Sequence, residues 1–206
     1  MYLLSELISG NKLINVISIK NSISFSCPES LKVEQIYSNS STGEPSVEST
    51  LKHSIPVIGQ FSNYTSLEGK FSFDYPSIFE IDTKNFVGSD ILYHVDFSNK
   101  AIGAHGFVQV WKLDEPLAQF LEKSKSVSAQ NIQDLTVKPI ALKDMPGYLW
   151  DYSTTAGDNV RYKAEEVFFD KNGRMYRISY FVPLIYWNKT QSDTFWKIVD
   201  SLKVYN

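Results

Sequence analysis

The chain has 206 residues, 43% of them apolar, and 20 Lys plus Arg against 23 Asp plus Glu give a net charge of −3. That length can bury a core without disulfides or metal, and the near-balanced charge argues against a nucleic-acid footprint or a polybasic membrane patch. The one cysteine, Cys27, excludes an internal disulfide framework and a multi-cysteine zinc site.

The first eight residues are apolar but short. Glu6 interrupts them and no basic residue precedes Lys12, so they lack the grammar of a signal peptide. No run reaches the roughly 20 apolar residues of a membrane span. The expectation is a soluble chain, the part of an exported or membrane-associated protein that lies outside any anchor. Residues 13–19 (LINVISI) and 23–25 (ISF) read as strands. Residues 38–56 turn polar and Ser-rich and read as a linker. The chain therefore divides into an N-terminal β-rich arm with linker, 1–56, and a domain, 57–206.

From residue 70 the patterns sharpen. Phe71, Phe73 and Tyr75 alternate, followed by Phe79 and Ile81. Ile91, Tyr93, Val95 and Phe97 line one face of the next strand, with Leu92, His94 and Asp96 on the other. Residues 106–111 form a further strand. Asp114 and Pro116 then suit a helix start, with Leu117, Phe120 and Leu121 at helical spacing, ending near residue 126. Leu135, Val137 and residues 140–142 resume strands, Pro146-Gly147 reads as a turn, and Tyr148, Trp150 and Tyr152 share a face that packs beneath a helix. Asn172-Gly173 supplies the positive φ angles of a hairpin between residues 160–169 and 175–182. Phe195, Ile198, Val199 and Leu202 make a closing amphipathic helix that Thr190 or Ser192 could cap. The fold class is α+β, an antiparallel sheet sandwiched by helices.

Catalytic signatures are sparse. There is no Gly-x-Ser-x-Gly and no Gly-rich phosphate loop. Glu165 and Glu166 are adjacent in a strand, so their side chains diverge and cannot share one substrate. His94 and Asp96 point the same way, and His105 on the adjoining strand could complete a metal- or small-ligand-binding set. The alternative is an ordinary polar, solvent-facing surface. Tyr186 and Trp187, in a loop beyond Pro183, are the candidate partner-binding residues.

Residues 70–205 resemble the PsbP-like family, an α/β/α-sandwich group that includes photosystem II extrinsic proteins and many uncharacterised bacterial relatives. The matching residues are FSFDYPSIF at 71–79, PLAQFL at 116–121, EVFF at 166–169, NGRMY at 172–176, and the stretch from Trp196 to Leu202. These are fold motifs and mark no catalytic site. The resemblance implies a non-enzymatic accessory role and an extracytoplasmic location; the expected partner is an unknown protein or membrane complex, and the charge balance and missing motifs lead us to expect no nucleic acid and no cofactor. The sequence departs from the photosynthetic branch in lacking its long basic surface.

Overall fold

The computed structural model describes residues 7–9, 12–14, 59–128, 132–157 and 159–205. The expected strand at 23–25, most of that at 13–19, Cys27, the polar linker and the boundary at residue 56 lie outside the described residues. Near the N-terminus two short strands, β1 (Leu7–Ser9) and β2 (Lys12–Ile14), pair antiparallel.

The main body contains β3 (Phe61–Ser66), β4 (Phe71–Pro76), β5 (Glu80–Lys84), β6 (Ile91–Asn99), β7 (Ala104–Lys112) and α1 (Leu117–Ser128). These are followed by β8 (Ile132–Leu142), β9 (Met145–Thr155), β10 (Arg161–Lys171), β11 (Arg174–Pro183), α2 (Lys189–Ser201) and β12 (Lys203–Val204). Seven strands form one antiparallel sheet in the order β5-β6-β7-β11-β10-β9-β8, and three form a smaller one, β12-β4-β3. The expected antiparallel α+β class is what the chain adopts. The layering is less simple than helices on both faces. One face of the large sheet is covered jointly by α2 and the small sheet, the other by α1.

Strand periodicity feeds both layers. On β11, Tyr176, Ile178, Tyr180 and Val182 enter the core under α2, while Met175 and Phe181 enter the core under α1. The α2 stripe inserts Phe195, Ile198, Val199 and Leu202 against β4 and the large sheet. Each such fully buried side chain stabilises by roughly 1.5–3 kcal/mol. Tilted and edge-to-face aromatic pairs join the two sheets, with Phe73 and Phe97 at 6.3 Å and Phe71 and Tyr93 at 6.0 Å. The Ser201 hydroxyl accepts from the Asp74 amide at 2.7 Å, tying the end of α2 to β4.

The structure corrects several local expectations. A bulge between Ile91 and Tyr93 turns Ile91 to the α1 face, away from Tyr93, Val95 and Phe97. The hairpin before β9 turns at Lys143-Asp144, with Lys143 at φ 55, and not at Pro146-Gly147. Gly147 is instead a point of close approach inside β9, where a Cβ would stand 2.2 Å from the Phe168 carbonyl oxygen. Pro139 is tolerated because β8 is an edge strand. Asp114 pairs with Lys112 at 3.0 Å, and α1 starts later, the Phe120 amide donating to the Pro116 carbonyl. The cap of α2 is Asn188, not Thr190 or Ser192; its Oδ1 accepts from the Thr190 and Gln191 amides at 2.9 and 3.3 Å. The Asn172-Gly173 turn forms as expected, with φ of 56 and 71.

Candidate functional site

His94 and Asp96 do lie on one face of β6, but that face is buried beneath the α1-side core, not solvated. His94 is 4% exposed. Trp111 can only donate, and its indole N–H reaches Gln109 Oε1 at 2.9 Å. Gln109 must therefore present its NH₂ to His94 Nδ1, at 2.8 Å. The lone pair of His94 thus sits on Nδ1 and accepts from Gln109, while the Nε2 proton is donated to Asp96 Oδ1 at 2.7 Å. Lys84 ion-pairs with the other carboxylate oxygen. Burial would raise the Asp96 carboxyl. The His94 hydrogen bond and the Lys84 ammonium outweigh it and hold Asp96 below its usual range.

His105 is not brought to this pair. On β7 it stands opposite Ser98, whereas His94 stands opposite Gln109. Four residues of strand separate the two positions by about 13 Å. His105 Nδ1 lies 3.2 Å from the Gly103 carbonyl oxygen, and the ring stacks on Phe181 at 5.2 Å. Burial lowers its pKa. Among the described residues, no three His, Cys, Asp or Glu side chains gather to hold a metal. The His94 lone pair is also already engaged by Gln109.

A second polar cluster occupies the middle of the same face. Glu166 is 1% exposed and accepts from the Tyr152 hydroxyl, from Arg177 Nε at 2.7 Å and Nη2 at 2.6 Å, and from Ser179 Oγ at 2.5 Å. The guanidinium lies over the rings of Phe107, at 4.9 Å, and Phe168, at 5.4 Å. Burial, reinforced by the Glu166 charge, pushes the Tyr152 hydroxyl well above its ordinary pKa and keeps it a donor. Trp150 and Tyr152 are buried in this layer, as expected of the aromatic strand.

Glu165 faces the opposite layer, under α2. There, among the described residues, the carboxylate accepts from the Ser192 hydroxyl alone, at 3.0 and 3.2 Å. The two glutamates therefore do diverge to different faces. Burial pushes Glu165 up to about 7.

Tyr186 and Trp187 end a short 3₁₀ turn, Leu184–Tyr186, between β11 and α2. Both are partly buried against the main core. The neighbours Leu184 and Ile185 are the ones presented to solvent, Ile185 at 84% exposure.

No family model matches the chain, and no curated protein matches it. Among solved structures, it is similar to the cyanobacterial PsbP (CyanoP) of Synechocystis sp. PCC 6803 at a TM-score of 0.54 and 16% identity, over 74% of this chain and 98% of that chain. The fold is PsbP-like. A structure from Bacteroides thetaiotaomicron has a TM-score of 0.48 at 11% identity, covering 70% of this chain and 48% of that one. A protein of unknown function from Pseudomonas aeruginosa has a TM-score of 0.38 at 13% identity, covering 62% of this chain and 85% of that one. At these identities the likeness is one of fold.

Within the PsbP-like sheet, the Glu166–Arg177–Tyr152–Ser179 cluster is the feature that sequence reasoning missed. A signal was present. A two-residue turn at Asn172-Gly173 places Lys171 opposite Arg174, and counting back along both strands sets Glu166 opposite Ser179.

Proposed function

We propose that this domain is a non-catalytic accessory module that acts by docking on another protein, in an exported or membrane-associated setting outside the cytoplasm. One observation carries the reading. Two clusters of buried polar side chains on the large sheet are paired internally, Glu166 with Tyr152, Arg177 and Ser179, and His94 with Asp96 and Gln109. Groups held this way are committed to packing and to one another. The fold-level likeness to cyanobacterial PsbP supports the same reading by analogy. The division into an arm of residues 1–56 and a domain of 57–206 belongs to this proposal.

The docking surface we assign is the turn between β11 and α2. Leu184 and Ile185 are exposed there, with Tyr186 and Trp187 bracing them from the core side. Crosslinking and capture from native membranes tests it, with wild type compared with Ile185→Asp. A discrete membrane protein recovered by wild type and lost in the variant supports the reading. Recovery of cytoplasmic proteins only, or equal recovery by both, refutes it.

A further inference from the structure

We propose that the seat of α2 on β10 is a protonation-controlled joint built from Glu165, Ser192, Asp151 and Lys163. Glu165 lies in the centre of the sheet, directly opposite Asp151 on β9 and Tyr180 on β11. Lys163, two residues away on the same face of β10, is ion-paired with Asp151. Tyr180 is turned to α2, its hydroxyl donating to Gln191 Oε1 at 2.7 Å, while Gln191 Nε2 has no acceptor among the described residues. On α2 itself the charged residues flanking Ser192 in sequence, Lys189 and Asp193, pair with each other at 2.7 Å on the exposed side. The turn Leu184–Tyr186, which also packs on β10, brings no charged group.

Counting charges shows what this arrangement does. With Glu165 protonated, the set Asp151, Lys163 and Glu165 is neutral. With Glu165 ionised, it carries one uncompensated negative charge at a buried contact. A single donor, Ser192 Oγ, supports that charge. The amides at the start of α2 give no help, because Asn188 Oδ1 already holds those of Thr190 and Gln191, and the Ser192 amide donates to the Asn188 carbonyl. A buried carboxylate with one hydrogen bond and a carboxylate opposite resists ionisation, and the carboxyl is raised to about 7. Loss of the proton near neutrality therefore strains the contact between β10 and the first two turns of α2. Trp187 stands immediately before the Asn188 cap, which makes its indole a reporter for that end of the helix.

The test is NMR of the full chain from pH 5 to pH 9, following the Ser192 amide and the Trp187 indole. In wild type both resonances shift with a shared midpoint near neutrality. Glu165→Gln, which keeps an acceptor for Ser192, abolishes that shared transition, whatever the histidines do elsewhere. Ser192→Ala removes the one donor to the charged form and moves the midpoint upward. A transition that survives in Glu165→Gln, or the absence of any shift in wild type, overturns the proposal.

Discussion

Removing either half of the buried Glu166–Arg177 pair should cost about as much as removing both. Glu166 is sealed in the α1-side layer, and Arg177 lies between two phenylalanine rings with 15% of its side chain exposed. Glu166→Gln keeps the shape and loses the charge, leaving a guanidinium without its counter-ion. Arg177→Met leaves a carboxylate with only the Tyr152 and Ser179 hydroxyls. Breaking a buried pair one partner at a time costs about 3–5 kcal/mol, and the residual exposure of Arg177 puts both variants at the low end, about 3 kcal/mol each. In the double variant no orphaned charge remains, so the loss should stay close to that of one single change. The cycle then yields a coupling of about 2–3 kcal/mol. The contacts of Arg177 with Phe107 and Phe168 are lost in both arms of the cycle and cancel. Urea unfolding at pH 7.5 measures it, with an unchanged m-value required for the comparison. Single losses that add to within about 0.5 kcal/mol would refute the view of the cluster as one charged unit.

Four further outcomes are expected. Glu165 keeps its proton up to about pH 7 in the folded chain but releases it near its ordinary value of 4.5 when unfolded. Folding therefore takes up a proton between those values, and stability is full below 4.5 and falls as pH rises through 7. At about 1.4 kcal/mol per pH unit of displacement, reduced for partial exposure, Glu165→Gln should gain about 1–3 kcal/mol over wild type at pH 8 and nothing at pH 4; equal gains at both would refute this. Asn188→Ala should cost about 1 kcal/mol through the lost cap of α2, measured by thermal unfolding, and a neutral result would count against the cap. Gly147→Ala should lower the melting temperature by several degrees, because its methyl has no room beside the Phe168 carbonyl. Calorimetric titration with zinc, manganese or calcium at micromolar concentration should give no heat, and heat abolished by His94→Gln would reverse the placement of His94 as a structural residue.

Much of the fold could be read from the sequence, because its signals were periodic and local. The α2 stripe is four apolar residues at helical spacing, and all four are buried. The Asn-Gly turn fixed its hairpin because few other residues accept positive φ twice in succession. Three kinds of feature were harder to read. The β6 bulge shifts Ile91 to the other face without altering the alternation pattern. The Asn188 cap competes with Thr190 and Ser192, which have equally suitable side chains close by. His94 and Asp96 look like a solvated surface because polar residues on alternate positions usually are; only the layer packed above them made that face internal. The candidate triad failed on distance along β7, a quantity set by the β6–β7 register and not by residue types.

The adjacent glutamates of β10 also bear on how the chain avoids mispairing. A slip of this strand by one position would send Glu166 into the Phe195–Ile198 layer and Glu165 among the tryptophan and phenylalanine rings below α1, stranding both far from any counterpart. The neighbouring alignment is thus penalised twice over. The middle of the sheet carries its own proofreading, independent of the turn that first brings β10 and β11 together.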